Sequence, residues 1–142
     1  MSILLFLHLL GMGIWVGCVL TEIVLELALK HVPPEQSPLA RLHVLVDRYV
    51  EIPAIILVAT TGVLMLQSTS WDSLLMIKVG LGVAAVLLNS AAAWCVHQRY
   101  SSLQHTTMSG YHFWDQWHER IGVGCVTSLL GAIAVGGYRL VT

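Results

Sequence analysis

Apolar residues fall into four long blocks that are separated by shorter polar segments. The blocks run from about Ile3 to Leu29, Leu45 to Leu66, Leu74 to Val96 and Ile121 to Val141. Each block reaches the roughly 20 residues with which an α-helix crosses a bilayer. None shows the sustained alternation of a strand, and backbone in lipid must close its hydrogen bonds within a helix or a closed barrel. The pattern predicts an all-α integral membrane protein whose single domain, residues 1–142, is an up-down four-helix bundle.

The polar segments between the blocks set the direction of each helix. Their sequences are KHVPPEQSPLAR, QSTSWDS and HQRYSSLQHTTMSGYHFWDQWHER, and connections this short favour antiparallel neighbours. Most basic residues flank the first and third connections: Lys30, Arg41, Arg48, Arg99 and Arg120 lie there, against Lys78 and Arg139 toward the other side. By the positive-inside rule both termini then face outward, which is the periplasmic side of a bacterial inner membrane.

Composition agrees with a membrane location and narrows the classes of function. Hydrophobic residues make up 56% of the chain and charged residues 11%, whereas an ordinary soluble domain has about 25% charged residues. The first block has no basic residue before it and is too long for a secretory signal, so we expect it to be retained as a helix. No basic patch indicates nucleic-acid binding, and no soluble-enzyme motif is present. A reaction would therefore belong to a bound cofactor.

Two ionisable residues lie inside the apolar blocks on the outward side. His8 is about one and a half turns into the first helix, and Lys78 is about one turn into the third, so the two can share a depth. Ionisable groups within a membrane span usually face the bundle interior and mark functional sites. Alternatively, His8 hydrogen-bonds a neighbouring carbonyl and Lys78 extends to the outer headgroups. We expect His8 to bind a cofactor or metal, and Lys78 to serve in cofactor binding and catalysis.

Carboxylates form a second group of candidates on the inward side. Its members repeat at four-residue spacing: Glu22 and Glu26 on the first helix, and His43, Asp47 and Glu51 on the second. Crowded carboxylates need a proton, a metal or other cation, or Arg48 between them, because burial and like charge both disfavour the anion. We expect at least one of Glu22 and Glu51 to be protonated near neutral pH and both to have catalytic roles in proton transfer. The alternative is a purely structural network.

A third group consists of histidines at the inward ends of helices three and four. His97 and His118 could approach a common point, and two histidines on facing helices are enough to ligate a haem. Alternatively, both are solvated residues at the membrane interface. The three cysteines form no C-x-x-C-H motif, which argues against covalent haem c and leaves haem b open.

Parts of the first three helices resemble known membrane protein families. The stretch LHLLGMGIWVG resembles the opening helix of copper-resistance D-type (CopD) membrane proteins, and EIPAIILVATTGVLML with LLMIKVGLGVAAVLLNSAAAW resembles their later helix pair. The four-helix length and the positions of His8, Pro53 and Lys78 also resemble the HemJ type of protoporphyrinogen oxidase. That resemblance implies a haem b in a four-helix bundle, with His8 and Lys78 as essential residues; the CopD resemblance implies copper handling.

These observations give one main hypothesis and two alternatives. The main hypothesis is a haem-b-binding, redox-active membrane protein that oxidises a porphyrin or a quinone-like reductant, with His8, Lys78, His97 and His118 as candidate cofactor-binding residues. His8, His97 and His118 are also the candidate metal ligands. The alternatives are a CopD-like protein that handles copper and a cofactor-free small subunit of a larger membrane complex. The sequence leaves a homodimer open.

Overall fold

The computed structural model describes residues 3–31, 38–67, 69–105 and 108–141. Within these residues the chain forms four helices and no strand, and each helix is long and apolar enough to cross a membrane. The helices are α1 (Ile3–Leu29), α2 (Leu39–Leu66), α3 (Ser73–Gln104) and α4 (Met108–Val141). The predicted all-α fold with four membrane-crossing helices is confirmed. The middle of the proline-containing first connection lies outside the described residues.

The four helices share one hydrophobic core. Helix α1 packs against α2, α3 packs along α4, and the first part of α2 also contacts α3. The core is formed by Trp15, Val19, Ala54, Ile55, Val58, Ala85, Cys125 and Leu129. Large apolar side chains such as Val24, Leu87 and Val123 are each 65% exposed on the outside of the bundle. This apolar outer surface suits contact with the lipid bilayer.

Helices α3 and α4 extend well beyond their apolar blocks. The prediction ended the third helix at Val96 and began the fourth at Ile121, but the structure places these ends at Gln104 and Met108. The added turns are polar, and they pack on each other through contacts such as the ion pair between Arg99 and Asp115. Hydropathy marks where a helix leaves the membrane, whereas tertiary contacts decide where it ends.

Helix α2 contains a π-helical turn at Asp47–Glu51, which divides it into Leu39–Val46 and Ile52–Leu66. The amide of Ile52 donates to the carbonyl of Asp47, five residues earlier. Pro53 follows at once, and a proline has no amide hydrogen to donate and its ring clashes with the carbonyl four residues before it. The wider turn accommodates this proline. Short π-helical segments are frequent at functional sites.

Candidate functional site

A cavity of about 250 Å³ lies near the end of the bundle that holds the chain termini. We call it the His8 cavity. Its wall is almost entirely apolar, and His8 and Lys78 are its ionisable residues. Gly62 of α2 lies against the imidazole, because a Cβ built on it would be 3.4 Å from His8 Cε1. The structure thus brings together the two outward residues that the sequence paired by depth.

Hydrogen bonds fix the orientation of the His8 ring. Its Nδ1 lies 3.2 Å from the carbonyl oxygen of Val58 and 3.0 Å from Thr61 Oγ1. A carbonyl only accepts, and the Thr61 hydroxyl already donates to the carbonyl of Leu57, so we assign the ring proton to Nδ1. In the neutral imidazole Nε2 then keeps a free lone pair. The carbonyl bond expected as an alternative role for His8 is therefore present, and it leaves the second nitrogen available.

Lys78 lies between α3 and α4 beside a glycine. A Cβ built on Gly136 would be 3.1 Å from Lys78 Cε and 3.5 Å from Nζ. Lys78 makes no salt bridge with any carboxylate of the described chain. Its ammonium is therefore a half-buried positive charge beside an apolar cavity.

The opposite half of the bundle holds a network of carboxyl, imidazole and guanidinium groups, which we call the carboxylate cluster. Its members are Glu22, Glu26, His43, Asp47, Glu51, Arg99, Asp115 and His118. Arg99, which is 1% exposed, donates from Nη1 to Glu26 Oε2 at 3.0 Å and to Asp115 Oδ1 at 2.6 Å. Its Nη2 lies 2.5 Å from Glu26 Oε1. One arginine therefore ties α1, α3 and α4 together.

His43 lies at the centre of the cluster and is fully buried. Its Nδ1 is 3.0 Å from Glu26 Oε1, and its ring packs edge-on against His118 with centroids 5.5 Å apart. Four buried atoms of the cluster have no hydrogen-bond partner in the described chain: Glu22 Oε1, His43 Nε2, Asp47 Oδ1 and Glu51 Oε1. Buried polar atoms are nearly always paired, so this concentration calls for a proton or a bound ion. The expected protonation of Glu22 or Glu51 stays a prediction.

The structure separates some of the predicted site residues. His97 is exposed on α3 and His118 is buried in the cluster, so the two histidines do not share a site. His118 is also far from His8, because Ala132 of the His8 cavity lies about 21 Å further along α4 at 1.5 Å per residue. Glu22 and Glu51 are in the cluster, and Lys78 is not. The chain thus has two sites rather than one.

Sequence reasoning offered Arg48, a proton or a cation as the balance for the crowded carboxylates, but the arginine of the cluster is Arg99, which pairs with Glu26 and Asp115. Arg48 is exposed, and its guanidinium lies 5.9 Å from the ring centroid of its neighbour Tyr49. The spacing of the residues could have excluded Arg48, because adjacent residues on a helix do not face the same side. If Asp47 points inward, Arg48 cannot. His43 was already among the candidates, because it shares the four-residue spacing of Asp47 and Glu51.

A second cavity, of about 400 Å³, lies beside the carboxylate cluster. Glu22, Glu26 and His118 line it, and it reaches from the exposed pair Lys30 and Glu119 toward the middle of the bundle. The cavity therefore places two carboxyl groups of the cluster, Glu22 and Glu26, along a space that begins at the end of the bundle.

Comparison of the chain with protein-family models, with curated proteins and with solved structures finds no match.

Proposed function

We propose that this chain is a redox-active integral membrane protein that binds haem b, with His8 as an axial ligand of the iron. The observation that carries the proposal is the hydrogen bonding of His8. Its Nδ1–H is held by Val58 and Thr61, so Nε2 is the free nitrogen at an apolar cavity. Metal-bound histidines are usually oriented in this way, by a bond from the second ring nitrogen to a carbonyl or carboxylate.

The residues around His8 suit a flat, mostly apolar cofactor with acidic substituents. The cavity is slightly smaller than the roughly 300–1,000 Å³ of typical small-molecule sites, but exposed residues such as Val63 and Leu87 form part of its wall. A macrocycle could therefore extend toward the lipid. The unpaired ammonium of Lys78 suits a propionate carboxylate. A bound haem would supply one-electron redox chemistry at its iron.

The same proposal includes the location and the substrate class. We place the protein in a bacterial inner membrane, and the distribution of basic residues supports an orientation with both termini on the periplasmic side. Its reductant is a porphyrin or a quinone-like molecule that reaches the His8 cavity from the bilayer. The resemblance to the HemJ type supports this choice, with His8 and Lys78 at the matching positions.

The test is an absorption spectrum of the full-length protein purified in detergent. We expect a Soret band for the wild type, and His8→Ala should remove or strongly shift it while the helical content stays unchanged. His97→Ala is the matched control, because His97 is exposed and should leave the band unaltered. His118→Ala should also retain it. An unchanged band in folded His8→Ala protein would overturn the assignment.

Copper handling is the second candidate, and one observation favours it. Met12 lines the same cavity as His8, and a thioether beside an imidazole nitrogen suits copper(I). Metal analysis of the purified protein separates the two candidates, because copper without a Soret band would favour this function. A colourless protein without metal at the His8 cavity would favour a cofactor-free subunit of a larger complex.

A further inference from the structure

Three side chains of the carboxylate cluster converge on one buried point. The Nε2 atom of His43 lies 3.5 Å from Asp47 Oδ1 and 4.0 Å from Glu22 Oε2. The donor atoms of these three residues all lie within 4.8 Å of one another. His43 and Asp47 come from successive turns of α2, and Glu22 comes from α1. Two helices therefore hold the group in place.

The support of His43 from its other side determines which nitrogen faces this point. Glu26 Oε1 lies 3.0 Å from Nδ1, and Arg99 Nη2, which can only donate, lies 3.3 Å from the same nitrogen. The contact with the carboxylate is the shorter of the two. A proton on Nδ1 satisfies it and leaves the lone pair of Nε2 facing Glu22 and Asp47. Carboxylates commonly support metal-ligating histidines in this way.

The distances at Nε2 do not suit hydrogen bonds. An N–H···O bond spans about 2.7–3.2 Å, and both contacts of Nε2 are longer. A lone pair that faces two carboxylate oxygens without a proton between them is repulsive. Around a metal ion with bonds of roughly 2.1 Å, however, two tetrahedral ligands lie about 3.4 Å apart. The observed separations of 3.5 and 4.0 Å are close to that spacing.

The charges at this point also call for a cation. No lysine or arginine of the described chain forms a salt bridge with Glu22, Asp47 or Glu51. Arg99 is occupied by two other carboxylates. Asp47 and Glu51 are 5% and 1% exposed, and each has an oxygen without a partner. One divalent cation would neutralise two of the three acids.

We propose that Glu22, His43 and Asp47 bind one divalent transition-metal ion, with Glu51 as a further oxygen ligand. One imidazole with two or three carboxylates suits Mn²⁺, Fe²⁺ or Zn²⁺ rather than copper(I), which prefers sulfur ligands. The cavity beside the cluster gives the ion a path from the end of the bundle to Glu22. Glu26, His43 and His118 form a second group of neighbouring donors. Arg99 occupies both oxygens of Glu26, so this second group holds His43 in position for the first group and does not bind a metal itself.

The test uses full-length protein that is purified in detergent without a histidine tag and is stripped with a chelator. We expect titration with Mn²⁺, followed by electron paramagnetic resonance, to show one tightly bound ion per chain. His43→Gln and Asp47→Asn should each weaken binding at least tenfold. His97→Gln and Glu119→Gln are the matched controls, because both residues are exposed and lie outside the site, and they should bind as the wild type does.

A second measurement needs no variant of the site. Pulsed resonance spectra of Mn²⁺ bound to the wild type should contain the coupling of a histidine nitrogen. Absence of saturable binding, absence of that coupling, or wild-type affinity in folded His43→Gln protein would each overturn the proposal and leave protons as the charges that balance the cluster. This outcome is independent of the proposed haem site, since His43→Gln should leave any Soret band unchanged and His8→Ala should leave Mn²⁺ binding unchanged.

Discussion

The indole of Trp15 donates a hydrogen bond to the side-chain oxygen of Asn89 at 3.2 Å, across the bundle from α1 to α3. Both residues are buried, and the thiol of Cys125 contacts the same oxygen at 3.3 Å. Trp15 also lines the His8 cavity, while Asn89 lines the cavity beside the carboxylate cluster. One hydrogen bond therefore joins a residue of the His8 cavity to a residue of the cavity beside the carboxylate cluster.

The hydroxyl of Thr61 should be needed for tight binding at His8. In Thr61→Val the side chain keeps its shape but loses the oxygen that accepts from His8 Nδ1. We expect haem affinity to fall about 10- to 100-fold, the usual cost of losing such a supporting bond. Haem titration followed at the Soret band measures this, and Thr60→Val is the control because Thr60 is exposed. Equal affinity in the two variants would contradict the role of Thr61.

Removal of the Lys78 charge should impair the same site without unfolding it. Lys78→Met keeps most of the stem that packs against Gly136. We expect normal membrane insertion, with lower haem retention or slower oxidation of the reductant. Lys30→Met is the control, since Lys30 is exposed and pairs with Glu119 at 2.8 Å at the other end of the bundle. If Lys78→Met matches this control in both assays, its ammonium only extends to the headgroups.

Arg99 should be the most sensitive residue of the carboxylate cluster. Arg99→Gln removes a buried charge that holds Glu26 and Asp115. Loss of one partner of a buried ion pair costs about 3–5 kcal/mol, because the other charge is left uncompensated. Unfolding in mixed micelles, followed by circular dichroism, measures the difference. Arg48→Gln is the control and should change stability by less than about 0.5 kcal/mol; similar values for both variants would mean that Arg99 does not hold the cluster.

The exposed ion pair between Lys30 and Glu119 should make the stability of the protein depend on pH, with a sign that follows from the pKa of Lys30. A hydrogen bond from Lys30 to Glu119, and the negative charge of that residue, raise the pKa of Lys30. The stabilisation is complete below the ordinary lysine pKa and is lost as the pH rises through the raised value. A nuclear magnetic resonance titration of Lys30 should show a lower pKa in Glu119→Gln. Asp72→Asn, which breaks the pair with Arg139 at the other end, should leave it unchanged.

The number and order of the membrane helices could be predicted because a segment that crosses lipid needs apolar side chains and must close its backbone hydrogen bonds within itself. Each apolar block had to be a helix, and Ile3–Leu29 has the bounds that the block gave. The outward ends of the other helices were also predicted, because α2 ends at Leu66, α4 ends at Val141, and α3 begins at Ser73, one residue before the predicted Leu74. Their inward ends could not be obtained in this way. Outside the lipid, polar residues are compatible with a helix and with a loop, and packing of α3 against α4 decides between them.

The same error concealed Arg99 and Asp115 of the carboxylate cluster. Arg99 follows the predicted end of the third helix at Val96, and Asp115 precedes the predicted start of the fourth at Ile121. Arg99 therefore counted only among the basic residues that flank a connection, although the structure buries it almost completely. The pairing of His8 with Lys78 needed only depth along two parallel helices, so sequence sufficed there. Contacts between α2 and α3 depend on how each helix is rotated about its own axis, and the limits of an apolar block do not give that rotation.

The π-helical turn at Asp47–Glu51 means that α2 contains one residue more than an unbroken α-helix of the same path would need. A deletion inside a membrane helix normally turns every later side chain by about 100°. Here, deletion of Val50 would instead close the turn and leave both flanking halves in their present rotation, although the ring of Pro53 would then press on a carbonyl of the preceding turn. The face from Ala54 to Thr61 that supports His8 would be kept, as would the direction of His43, and the alignment of Asp47 and Glu51 within the turn would be lost. A deletion of one residue would thus disturb the carboxylate cluster and spare the His8 cavity, without removing a charged group.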